Sequence, residues 1–191
     1  EDTSDSPFTM AAHTLTEQFT DGWHLMGPPL TPWNSVLVDN YLESFGTWGS
    51  NWVTFNAAGE YDNLFLNLGE GYYTALVNHE TLIQEGNPVI ADPDCNSFST
   101  LTGATCSDDS FGLADLDLDR GWNLISNPLV NKVSKETFTV EYQGQSKDFN
   151  DAVDAGWIAP TIYGWFQNSY ESIDRIMPFN GYFINTSREV T

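Results

Sequence analysis

Arg120-Gly-Trp-Asn-Leu-Ile-Ser-Asn-Pro-Leu129 decides the fold, because the chain carries this stretch twice. Asp21-Gly-Trp-His-Leu-Met-Gly-Pro-Pro-Leu30 has the same Gly-Trp opening and the same Pro-Leu close at the same spacing. A second echo follows each copy, Leu68-Gly-Glu-Gly-Tyr-Tyr73 answering Met177-Pro-Phe-Asn-Gly-Tyr-Phe183. Between them, Phe45-Gly-Thr-Trp48 faces Tyr163-Gly-Trp165. A pattern that recurs at this interval predicts two diverged copies of one unit.

Working outward, short alternating segments separated by turn residues predict strands. They are Thr14–Phe19, His24–Met26, Asn51–Phe55, Leu64–Leu68 with Tyr72–Val77, and Thr81–Gln84. In the second copy they are Leu113–Leu118, a hairpin over Thr137–Tyr142 and Ser146–Asp148, Thr161–Phe166 and Gly181–Asn185. Asp148–Ala155, with acidic residues at its N-terminal end where the helix dipole favours them, predicts one short helix. The fold class is therefore all-β: two tandem β-sandwich-like repeats with a disulfide-bearing connecting loop and at most one short helix. Residues 1–13 read as a flexible leader, 14–91 as the first β unit, 92–112 as an acidic loop and 113–191 as the second unit. After Tyr182-Phe183 the second copy lacks the further strand that follows Tyr72-Tyr73, which predicts an open edge that another chain could fill.

Composition narrows the partners. Of 191 residues, 27 are Asp or Glu and only six are Lys or Arg, for a net charge of −21. Such a surface repels phosphate backbones and anionic membranes, which argues against nucleic acid. No apolar run approaches the ~20 residues a spanning helix needs, so no membrane insertion is expected. Cys95 and Cys106, flanked by Asp, Asn, Ser and Thr, read as a disulfide in an oxidising compartment. That bridge would gather Asp92, Asp94, Asp108 and Asp109 into one loop, where like charges invite calcium. No cofactor is otherwise required.

Gly121-Trp-Asn-Leu-Ile-Ser-Asn-Pro-Leu129, Ile162-Tyr-Gly-Trp165 and Phe179-Asn-Gly-Tyr-Phe183 together resemble a domain that recurs in tandem near the C-terminal ends of large secreted bacterial and archaeal proteins. The likeness covers most of residues 20–85 and 114–185. The first copy departs from it at Met26-Gly-Pro-Pro29, and Tyr73 and Phe183 replace the usual Trp. The resemblance implies a secreted accessory or surface module, and it brings no catalytic motif.

The repeat also sorts the aromatics. Trp23/Trp122, Trp48/Trp165, Tyr72/Tyr182 and Tyr73/Phe183 recur in both copies and are assigned to the shared core. Trp33, Trp52, Trp157 and Tyr170 have no counterparts. Beside Asn34 and Asn51, they become the candidate stacking platforms for a sugar, with the amides bonding its hydroxyls. Catalytic signatures are missing: His79-Glu80 has Ile83 where a zinc-binding helix needs its second His, and no Gly-x-Ser-x-Gly elbow exists. The expected function is a non-catalytic extracellular module binding a polysaccharide or cell-surface glycan. The alternative is a structural or adhesive subunit that self-assembles through its open edge.

Overall fold

A computed structural model describes residues 13–32, 41–61, 66–88 and 116–191. Trp33, Asn34, Cys95, Cys106 and the carboxylates Asp92, Asp94, Asp108 and Asp109 lie outside the described residues. The described chain is mostly strand. In its N-terminal half these are β1 (His13–Phe19), β2 (Gly22–Met26), β3 (Leu30–Pro32), β4 (Trp52–Phe55), β5 (Tyr72–Leu76) and β6 (Glu80–Pro88). The C-terminal half begins with β7 (Gly121–Ser126), β8 (Val133–Ser134), β9 (Thr139–Tyr142) and β10 (Gln145–Asp148). Helix α1 (Phe149–Asp154) follows, then β11 (Ile162–Phe166), β12 (Ser169–Ile173), β13 (Arg175–Ile176) and β14 (Gly181–Thr186). Leu66–Leu68 is not strand as its alternation suggests, since both edges of β5 are taken by β2 and β4.

The quoted motif sits on the same ladder in both halves. β2 pairs antiparallel with β5 so that Gly22 lies opposite Leu76 and Met26 opposite Tyr72. β7 pairs with β14 in matching register, Gly121 opposite Thr186 and Ile125 opposite Tyr182. On the far edges Phe55 faces Tyr73 and Tyr163 faces Phe183, so Tyr163 corresponds to Phe55. The sequence match of Trp48 to Trp165 is therefore out of register. Leu118 bridges Val190 where Phe19 pairs with Glu80. The two tyrosines repeat as well: the Tyr72 hydroxyl accepts the Asn67 N–H at 2.7 Å, and the Tyr182 hydroxyl accepts the Met177 N–H at 2.7 Å.

Two cores result, of different construction. In the N-terminal half, Phe19 and Leu82 from the β1–β6–β3 sheet meet Met26, Trp52, Tyr72 and Leu76 from the β2–β5–β4 sheet, a sandwich-like layering. The C-terminal core instead sets Ile125, Ile162, Tyr182 and Ile184, from the β12–β11–β14–β7 sheet, against Phe149 and Ala152 of α1 and Trp157. The helix exists because Asp148 caps it, its Oδ1 accepting the Asp151 N–H at 2.8 Å. A helix and the β9–β10 hairpin thus cover this sheet where a second sheet was expected.

The halves meet through reciprocal contacts. Met26 bridges Asn180 while Ile125 bridges Glu70. The Gly27 N–H donates to Phe179 O at 2.9 Å, and the Ser126 N–H donates to Gly69 O at 2.7 Å. In the matching registers Ser126 stands where Gly27 does and Phe179 where Gly69 does, so each half gives the other what it receives. A Cβ on Gly27 would fall on the Ser126 side chain.

Burial of the paired tyrosines carries a pH dependence. It pushes Tyr182 up to about 12 and Tyr72 higher still, against an ordinary value near 10. The folded state then holds phenolic protons that the unfolded chain has released. This stability is complete below pH ~10 and lost as pH rises to ~12, on the order of 2–3 kcal/mol for Tyr182 alone. Denaturation midpoints measured across that range should fall, and less steeply in Tyr182→Phe; equal slopes would refute the assignment.

Candidate functional site

Strand alternation puts one side chain in two on the face away from each core. On β2 the inward residue is Met26, so Trp23 and Leu25 stand outward. On β7 the inward residue is Ile125, so Trp122 and Leu124 stand outward. Leu25 and Leu124 are nonetheless buried, because Gly181 and Gly71 of the opposite half lie against them. The tryptophans have only Ala75 and Asn185 as cross-strand neighbours and remain uncovered, Trp23 at 50% and Trp122 at 61% exposure. They are not core residues. The position shared by the two halves is a face rather than an interior here, while Tyr72 and Tyr182 are buried as expected.

Each tryptophan anchors an equivalent aromatic triad. Trp23 lies 6.4 Å from Phe55, whose cross-strand neighbour is Tyr73. Trp122 lies 6.0 Å from Tyr163 and 6.4 Å from Phe183. The triads touch where Tyr73 meets Phe183, ring centres 6.0 Å apart. Each end is extended by a pair the other half lacks. In the N-terminal half Trp48 stacks on Tyr61 at 5.3 Å and 18°, and Tyr61 meets Phe55 edge-on. In the C-terminal half Tyr170 bridges Trp165 at 4.8 Å to Phe183 at 5.8 Å. Ten rings thus form one aromatic face spanning both halves. Burial raises the Tyr73 hydroxyl above its ordinary range and the nearby Tyr170 adds to the effect, so two of the face's four phenolic hydroxyls come close together.

Beside this face a cleft of about 820 Å³ opens between the halves. Trp23 and Trp165 belong to both. Its polar wall includes Glu17, Asp21 and Lys132, together with Gln167 and Asn168 from the β11–β12 turn. Those two turn residues hold φ of 49° and 64°, the left-handed geometry of a tight hairpin.

Of the platforms expected from sequence that lie among the described residues, the structure places only Tyr170 on this face, 56% exposed. Trp52 is 2% exposed and its indole N–H donates to Gly46 O at 3.0 Å. Asn51 is committed to the same turn, its Oδ1 accepting the Thr47 N–H at 2.9 Å. Trp157 is 6% exposed, with Tyr142 at 5.5 Å and the Lys147 ammonium over its ring. Neither buried indole can stack on a ligand; each fills its own core. The signal for Trp23 and Trp122 was present in the motif itself, since an apolar residue three positions later (Met26, Ile125) takes the opposite face.

Comparison of the chain with protein-family models, with curated proteins and with solved structures finds no match. Among the described residues no helix is long and apolar enough to cross a membrane.

Proposed function

We propose that this chain is a non-catalytic extracellular module that holds a polysaccharide or cell-surface glycan against the aromatic face, and that its halves are diverged copies of one β unit. The carrying observation is the pair of equivalent triads, each with a half-exposed tryptophan, joined into one surface. Ring faces stack on the C–H faces of sugars, and the Tyr73 and Tyr170 hydroxyls are suited to bonding sugar hydroxyls. A contiguous exposed apolar surface of this kind marks an interaction site rather than ordinary exterior. The matching registers, reciprocal contacts and repeated tyrosine hydrogen bonds support the reading as two copies. The acidic composition supports an extracellular setting.

Trp23→Ala and Trp122→Ala should each weaken retention on immobilised polysaccharide about tenfold or more, a loss of about 1.4 kcal/mol. As exposed positions they should shift folding stability by no more than about 0.5 kcal/mol. Trp52→Ala, by contrast, opens a core cavity and should cost about 3–5 kcal/mol. Unchanged binding in both exposed variants would remove the face as the site. The same apolar face favours a second reading, self-assembly of a structural subunit. Light scattering separates the two: a mass that grows with concentration and collapses in Trp122→Ala supports assembly, and a constant monomer mass rejects it.

A further inference from the structure

We propose that the cleft beside the aromatic face is a subsite for a positively charged group on the ligand, such as the ammonium of a deacetylated amino sugar. This deepens the glycan reading and rests on it.

Three observations converge. First, Trp23 and Trp165 line the cleft and also belong to the aromatic face, so a sugar chain lying on the rings reaches the cleft without a gap. Second, the cleft carries Glu17 and Asp21 against the single cation Lys132. The one ion pair among the described residues joins Lys135 to Asp174, so neither cleft carboxylate is neutralised by Lys132. The other candidate donor is committed: His24 Nε2 is 2.8 Å from the Thr20 carbonyl. Third, the Glu17 side chain is exposed to solvent and has no hydrogen bond or ion pair among the described residues, and its partial burial pushes the carboxyl up. A carboxylate without a protein partner, beside an aromatic platform, is suited to a donor that brings its own positive charge. The chain's net charge of −21 steers a cation toward the same place and turns uronate- or sulfate-bearing chains away.

The test compares chitin oligosaccharides with chitosan oligosaccharides of equal length by calorimetric titration, at about pH 6, where an ordinary carboxylate is ionised. The full chain should bind the deacetylated series about tenfold more tightly, the scale of one charge-assisted hydrogen bond. Glu17→Gln should erase that preference and leave binding of the acetylated series unchanged. Glu136→Gln, a carboxylate outside the cleft, should keep it, which separates the subsite from general attraction to an acidic protein. Equal affinities for both series, or a preference that survives Glu17→Gln, would overturn the subsite while leaving the glycan reading in place. Loss of the preference in Glu136→Gln would also overturn it. Binding of neither series would count against the subsite and the glycan reading together.

Discussion

Replacing Gly27 by alanine will lower the melting temperature by about 6–12 °C, the shift expected from a loss of about 3 kcal/mol in a chain of this size. The cause is lack of space. A Cβ at this position falls on the Ser126 side chain and within 2.7 Å of the Glu70 carbonyl oxygen. Neither neighbour can retreat cheaply. Ser126 is fully buried and its N–H is bonded to Gly69 O, while the adjoining Gly27 N–H is bonded to Phe179 O. Gly27 and Ser126 hold equivalent places in their two ladders and face each other where the halves meet. Only one of them can carry a side chain. Ser126→Gly introduced into the alanine variant should therefore recover part of the loss, and only part, because the Glu70 carbonyl remains. Thermal unfolding of the two single variants and the double variant forms a cycle whose coupling should reach about 1 kcal/mol or more. A Gly27→Ala chain that melts with the wild type would show that the halves do not meet as described.

That glycine illustrates what could be read before the fold was known. Met26-Gly-Pro-Pro29 stood out as a departure from Ile125-Ser-Asn-Pro128, yet the sequence alone offers no reason for it. The reason is a contact between two segments distant in the chain. Most strand positions were legible from alternation, with β3, β12 and Leu66–Leu68 among the exceptions, and so was the helix, because both depend on residues close in sequence. The side of the sheet was not. Recurrence of Trp23 as Trp122 says that both halves carry the residue, and it does not say whether core or surface uses it. Trp52 and Trp157 differ for the complementary reason: lacking counterparts in the other half, they read from sequence as free for function. Each instead fills a core that the other half builds differently, Trp157 against β9–β10 and Trp52 against the turn at Gly46. The two cores differ in their fillers because their surroundings differ, while the aromatic face is common to both halves.

Phe179 gives the second large effect. Although it comes from the C-terminal half, its ring is buried in the N-terminal core with Phe19, Met26, Phe45 and Tyr72. It does so from a left-handed backbone, φ 64°, which costs a residue with a Cβ about 1–2 kcal/mol. The matching position is Gly69, φ 83°, which meets that geometry without strain. The chain therefore tolerates local strain at Phe179 for the sake of a buried ring that ties the two cores together. Phe179→Ala should cost about 3–5 kcal/mol, the range for emptying a buried phenylalanine site. It retains the strain and loses the packing, so Phe179→Gly should be the milder of the two changes by about 1 kcal/mol. The form of the transition carries the stronger test. With Phe179 in place, unfolding either core exposes a residue the other half depends on, so a single calorimetric transition is expected, with equal calorimetric and van't Hoff enthalpies. Without the ring the N-terminal core loses its tie and should melt first, splitting the transition in two. A Phe179→Ala chain that keeps one transition and loses less than about 1 kcal/mol would mean that the reciprocal backbone contacts at Gly27 and Ser126 couple the halves unaided.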